Sequence, residues 1–219
     1  MKQLSILIFL SVSGIFAYCA KGLFLRENFK SSCIYFIEND QIKEGMASSK
    51  KWVATYDKDD WAHYYYAWFC MKSFLQNGDV KQLEQSEKSF QLAQSLYGGD
   101  PLFYLRHSEL KFLQARFLHD SKKNKDGIDL LKIAATKDPN HYYYYSLMFE
   151  KLMEINPTRT YGSKRNKEYL SKVSYSLKNY LRIKSFYKDR YTKMLKSKLG
   201  AMSSYKILKE IENDSNVQS

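Results

Sequence analysis

The 219-residue chain is long enough for one domain with a buried core and a small appendage, and its 44% hydrophobic content excludes disorder over most of its length. Three prolines and nine glycines are too few for a turn-rich all-β fold. The formal charge of +12 is concentrated. Between residues 161 and 200 twelve Lys or Arg face only Glu168 and Asp189, a net of +10 that points to an anionic neighbour such as a phospholipid surface, an acidic protein or nucleic acid.

In chain order, Met1-Lys2 opens an uncharged stretch, residues 3–20, whose core at 4–17 is almost wholly apolar. A short basic start before an apolar run is the pattern of a secretory signal, and about 20 residues also suffice to cross a bilayer as a helix. Residues 1–20 are therefore read as a signal peptide or membrane anchor, which places the protein in the cell envelope, either anchored or released after cleavage. Cleavage after Cys19 or Ala20, retention, and lipidation at Cys19 (Phe16-Ala17-Tyr18-Cys19 resembles a lipoprotein box) all stay open.

Residues 21–60 read as a connector, with a helix expected over 23–37 and a polar link over 39–51. A first helix of the body is expected from Trp61 to Leu75, closed by Asn77-Gly78-Asp79, where Gly suits a left-handed cap. Further helices follow at 81–96, 102–119, 127–137 and 141–155, with a polar loop at 120–126. All three prolines follow an Asp or Asn at the edge of these runs: Asp100-Pro101, Asp138-Pro139 and Asn156-Pro157. Proline disfavours helix in the residue before it and cannot continue the hydrogen-bond ladder, so each pair punctuates a helix. Residues 158–200 read as a basic helix or helix pair. The remainder, 201–219, reads as a partly disordered tail, polar from 213 on.

Chemistry-bearing constellations are absent from the pattern. His63, His107, His119 and His141 form no His-x-x-x-His pair, Gly98-Gly99 lacks the rest of a phosphate loop, and no nucleophile motif occurs. The chain is read as a non-enzyme without metal or cofactor. Outside the leader only Cys33 and Cys70 remain; buried free thiols are expected, with a single disulfide as the alternative.

Gly127, Leu131, Ala134 and Pro139 carry the spacing that marks the second helix of the tetratricopeptide repeat, and Tyr145, Met148, Phe149 and Leu152 continue it into the next first helix. Ala67, Cys70, Met71 and Phe74, then Ser86, Phe90 and Ala93, repeat the pattern earlier. Residues 61–157 thus resemble a tetratricopeptide-like helical repeat. The third helix departs from it by placing Lys111 and Gln114 where small or apolar residues are usual.

The resemblance implies an all-α fold of antiparallel helix pairs in a short α-solenoid, followed by the basic C-terminal segment. It also implies a concave groove lined by the first helix of each pair, which in the family binds peptides. By register that groove takes Tyr65, Trp68 and Lys72, then Phe112 and Arg116, then Tyr143. Aromatic anchors beside Arg and Lys are the usual content of a binding hot spot.

In the C-terminal segment Leu170, Val173, Leu177 and Leu181 form an apolar stripe expected to dock on the preceding helices. Lys188, Arg190, Lys193 and Lys196 are the candidate anionic-surface residues. The reading is an exported or membrane-anchored scaffold that binds a protein or peptide, extending to an assembly factor for an envelope complex. The competing reading is a structural bundle held on anionic membrane by its basic C-terminal helix. Export argues against nucleic acid.

Overall fold

The computed structural model describes residues 2–155, 164–184, 188–199 and 207–209, with side chains described from Cys19 in the first helix, from Leu170 to Lys184, and from Asp189 to Ser197. Among the described residues every regular element is helical. They fall into two compact units, residues 1–96 and 97–219. Consecutive helices joined by short turns pack as antiparallel pairs, in the tetratricopeptide-like manner.

The first unit holds α1 (Lys2–Glu38), α2 (Ile42–Thr55), α3 (Asp60–Asn77) and α4 (Val80–Leu96). Residues 39–51, expected as a polar link, are largely helical. The reason lies in how α2 packs. Its buried face is made of Ile42, Gly45 and Ser49, two of them too small to register as a hydrophobic stripe. Gly45 receives the ring of Phe69, and a Cβ there would run into it. The Ser49 hydroxyl satisfies itself on the Gly45 carbonyl at 2.8 Å.

Asp59 starts α3, accepting from the amides of Trp61 and Ala62 at 3.0 and 3.2 Å. This is the side-chain cap expected of Asp before a helix. The Arg26 guanidinium of α1 pairs with both Asp59 and Asp60, and Trp52 Nε1 donates to Asp59 at 3.2 Å. Gly78 ends α3 with φ +72°, the left-handed cap that a side chain would strain. On the α3–α4 seam the Ser86 hydroxyl donates to the Ala67 carbonyl at 2.8 Å.

The second unit holds α5 (Pro101–Phe117), α6 (Ser121–Lys137), α7 (Tyr142–Ile155), α8 (Lys164–Ile183) and α9 (Lys188–Leu199). Asp100 caps α5 by accepting from Leu102 N at 2.8 Å, with Pro101 in the first turn. Asp-Pro here therefore begins a helix as well as closing off the one before it. Residues 121–126, expected as loop, are the first turns of α6. Asp120 caps them by accepting from Lys122 N at 3.0 Å, and their charged side chains conceal the helix from any apolar period.

Gly127, Leu131 and Ala134 are buried, as are Tyr145, Met148, Phe149 and Leu152 of α7. The α8 stripe joins the same core through Val173, Leu177 and Leu181, with Leu170 partly buried against it. Tyr191 and Leu195 of α9 and Ile207 beyond it complete that core. The Asn156-Pro157 boundary and the tail at 213–219 lie outside the described residues.

Candidate functional site

The second unit contains a cleft of about 430 Å³ between α5 and α7, floored by Phe112, Ala115 and Ile155 and rimmed by Arg116, Asn124, Lys151 and Glu154. Phe112 is held in place by α6, where a Cβ at Gly127 would stand 2.6 Å from its Cε1. The glycine lets the ring come close to α6, where it stays 8% exposed on the cleft floor.

α7 is positioned from behind. Tyr145 donates its hydroxyl to the Pro139 carbonyl at 3.2 Å, and Arg182 of α8 donates to the same oxygen at 3.0 Å. Tyr191 of α9 meets Phe149 edge-on at 5.0 Å, with its hydroxyl 3.0 Å from Ser146 Oγ. With the inner face of α7 fixed in this way, Lys151, Glu154 and Ile155 turn to the cleft.

The cleft is amphipathic in a specific sense. Lys151 is engaged: its ammonium is 2.8 Å from Glu154 and 5.6 Å from the Phe112 ring centroid. Arg116 is exposed, close to the Phe117 ring at 5.8 Å, and has no carboxylate partner among the described residues. The rim thus carries one charge pair and one uncompensated guanidinium beside an apolar floor.

The six groove residues expected from the sequence separate. Phe112 and Arg116 meet in the cleft. Tyr143 stands on α7, 40% exposed. Burial first, and then the Glu109 carboxylate, raise the pKa of its phenol. In the first unit Tyr65 is only 4% exposed, beneath Phe29 and Trp61 with ring centroids at 5.9 and 5.7 Å. Trp68 is half-buried against the rings of Tyr64 and Phe69, and Lys72 is half-buried.

Lys151, Glu154 and Ile155 were not expected as site residues. For Lys151 and Glu154 the signal is the offset from Tyr143: positions 143, 147, 150, 151 and 154 share one helical face. Of the anionic-surface residues, Arg190 and Lys193 are exposed on α9, as is Lys196, while Tyr191 and Leu195 bury the opposite face. The Lys188 side chain lies outside the described residues.

Among the described residues no group of three or more His, Cys, Asp or Glu could hold a metal ion. Cys33 and Cys70 are free and buried. Burial pushes the Cys33 thiol up to about 12 and that of Cys70 to about 11, so both are protonated and unreactive at neutral pH. Among the described residues no helix is long and apolar enough to cross a membrane. The side chains of residues 1–18, which carry most of the expected leader, lie outside them.

No family model matches the chain, and no curated protein matches it. Solved structures do. The crystal structure of MamA protein superposes with a TM-score of 0.56 at 11% identity, covering 86% of this chain and 90% of that one. A second crystal structure of MamA gives 0.54 at 11% identity over 84% and 94%. The MamA RS-1 ArsTM double mutant gives 0.54 at 13% identity over 88% and 96%. At these identities the likeness is one of fold.

Proposed function

We propose that the protein is a non-enzymatic scaffold that binds another protein through the α5–α7 cleft. It works at the cell envelope as an assembly factor, and residues 3–20 direct it to the membrane or across it. The observation that carries the reading is the cleft itself. A concavity of this size, in which Arg116, Asn124, Lys151 and Glu154 surround Phe112, Ala115 and Ile155, offers a ligand both polar and apolar contacts. Tetratricopeptide-like helix pairs expose the first helix of each pair to a partner, and α5 and α7 hold that place here.

A second reading has its own observation. Arg190, Lys193 and Lys196 stand exposed on α9, where Asp189 is the single acid. That face suits an anionic membrane, each cation contributing about 1 kcal/mol near the surface.

Pull-down from native membranes paired with sedimentation on phosphatidylglycerol vesicles separates the two. Arg116→Glu is expected to abolish partner capture and leave vesicle binding intact. Neutralising Arg190, Lys193 and Lys196 together is expected to leave capture intact. The opposite pattern would replace the scaffold reading with the membrane-held bundle.

A further inference from the structure

Resting on the reading that residues 3–20 direct the chain to a membrane, we infer that this segment is not removed. It stays as the bilayer-spanning part of α1, and residues 19–24 seat the first unit in the lipid headgroup layer.

The helix is continuous through the point where a leader would be cut. α1 runs unbroken from Lys2 to Glu38, so a cut at Cys19 or Ala20 falls inside it. A peptidase pairs its own backbone with an extended substrate, and in a helix those N–H and C=O groups are already bonded to one another. Tyr18 adds to this at two of the sites. It stands third before a cut after Ala20, where a small residue is wanted. It also directly precedes Cys19, where a lipoprotein box has a small residue. The downstream half of the same helix is built into the first unit: Arg26 pairs with Asp59 and Asp60, Phe29 stacks on Trp52 at 4.5 Å, and Cys33 is buried.

Among the described residues nothing covers the stretch between the two halves. Residues 19–24 are all exposed, and six residues circle a helix more than once. A Cβ on Gly22 would meet nothing within 4 Å, and Leu23 and Phe24 stand side by side, 64% and 66% exposed. A helix bare on every side that carries large apolar groups is unfavourable in water. The neighbouring chain points to a bilayer as the occupant. Residues 3–20 are eighteen uncharged residues, about 27 Å of helix and so long enough to span a hydrocarbon core of about 30 Å. Arg26 follows Ala20 by about 9 Å, which sets the edge of the first unit against the headgroups. Leu23 and Phe24 then fall in the boundary layer, and Lys21 extends its ammonium to the phosphates.

Two measurements on the full-length protein test this. The first is mass spectrometry of the amino terminus, on protein tagged at its C-terminus and recovered from carbonate-washed membranes of its native cells. Protein that resists carbonate and begins at Met1 or Lys2 is the expected result. A first residue of Ala20 or Lys21, or a lipid on Cys19, overturns the inference and leaves the targeting reading standing, since a removed leader has still done its work. An intact amino terminus on protein that carbonate releases, or that never reaches the membrane, overturns both. The second places an environment-sensitive fluorophore on single thiols in phosphatidylglycerol–phosphatidylcholine vesicles, with Cys19→Ser removing the exposed native thiol. The label at Phe24→Cys is expected to emit blue-shifted, as in an apolar setting. At Tyr35→Cys, about 16 Å further along α1, it should emit as in water. Equal emission from the two positions overturns the membrane seat.

Discussion

In α1–α4 the ring seated on a glycine, Phe69 on Gly45 of the preceding helix, is wholly enclosed; in α5–α9 another such ring, Phe112 on Gly127 of the following helix, borders a cleft. Both units bring neighbouring helices together by the same means, an aromatic face against a helix backbone bared by glycine. What differs is what lies over the residues in groove register. In the first unit α1 lays Phe29 onto Trp52, with centroids 4.5 Å apart, and edge-on to Tyr65, so Tyr65 becomes core. Among the described residues of the second unit no such helix covers the cleft side of α5 and α7. The same repeat chemistry therefore buries the groove-register Tyr65 in one unit and borders a cleft with Phe112 in the other.

The contrast should be plainest in denaturant unfolding of truncated rings. Phe69→Ala is expected to cost about 3–5 kcal/mol, the usual range for emptying an enclosed aromatic site. Phe112→Ala should cost about 3 kcal/mol, the low end of that range, since water in the cleft can follow the retreating ring. Equal losses would mean that Phe112 is as enclosed as Phe69.

Alkaline pH should separate the units next. The Cys33 thiol is raised from an ordinary 9.0 to about 12 and the Cys70 thiol to about 11, both by burial. Above pH 9 the unfolded chain releases these protons and the folded one keeps them, so stability is full below 9 and falls as pH rises. The slope is up to about 1.4 kcal/mol per pH unit for each thiol. In the second unit the buried phenols Tyr144 and Tyr145, raised from 10.0 to about 12, begin to act only above pH 10. Hydrogen exchange at stepped pH should therefore show the first unit loosening first. Cys33→Ser with Cys70→Ser should remove the fall between pH 9 and 10.

Glycine replacement comes third. Gly45→Ala gains about 1 kcal/mol of helix propensity but drives a methyl into an enclosed ring, for a net loss of about 1–2 kcal/mol. Gly127→Ala should fall within about 0.5 kcal/mol of the parent, because Phe112 can swing into the cleft. A smaller effect belongs to the first unit alone. Arg26→Met removes the guanidinium from Asp59 and Asp60 and should cost about 1 kcal/mol, the pair being part-exposed. High salt should diminish that loss, which is the check on its origin.

The sequence spoke clearly where apolar spacing and capping agreed. Gly127, Leu131, Ala134 and Pro139 fixed the α6–α7 corner, and Leu170, Val173, Leu177 and Leu181 fixed the docked face of α8. It was silent where burial relies on small or polar groups. Gly45 and Ser49 make a helix face without any large side chain. Residues 121–126 are helical with only a cap to announce it, and Lys111 and Gln114 are buried although their types suggest exposure. Register brought Phe112 and Arg116 to one cleft. It could not foresee that Phe29, nearly 40 residues upstream, would cover Tyr65, because that contact belongs to α1 and lies outside the repeat. Lys151 and Glu154 were readable only through their helical offset from Tyr143.

Photo-crosslinking in living cells tests most directly whether the second unit carries the site. A benzophenone amino acid replaces Asn124, on the cleft rim, in one strain and Trp68 in another. A discrete crosslinked protein from position 124, with none from position 68, is the result expected of a cleft that binds in one unit and an aromatic-packed face in the other. The same discrete adduct from position 68, with none from position 124, would contradict it and move the binding surface to α3.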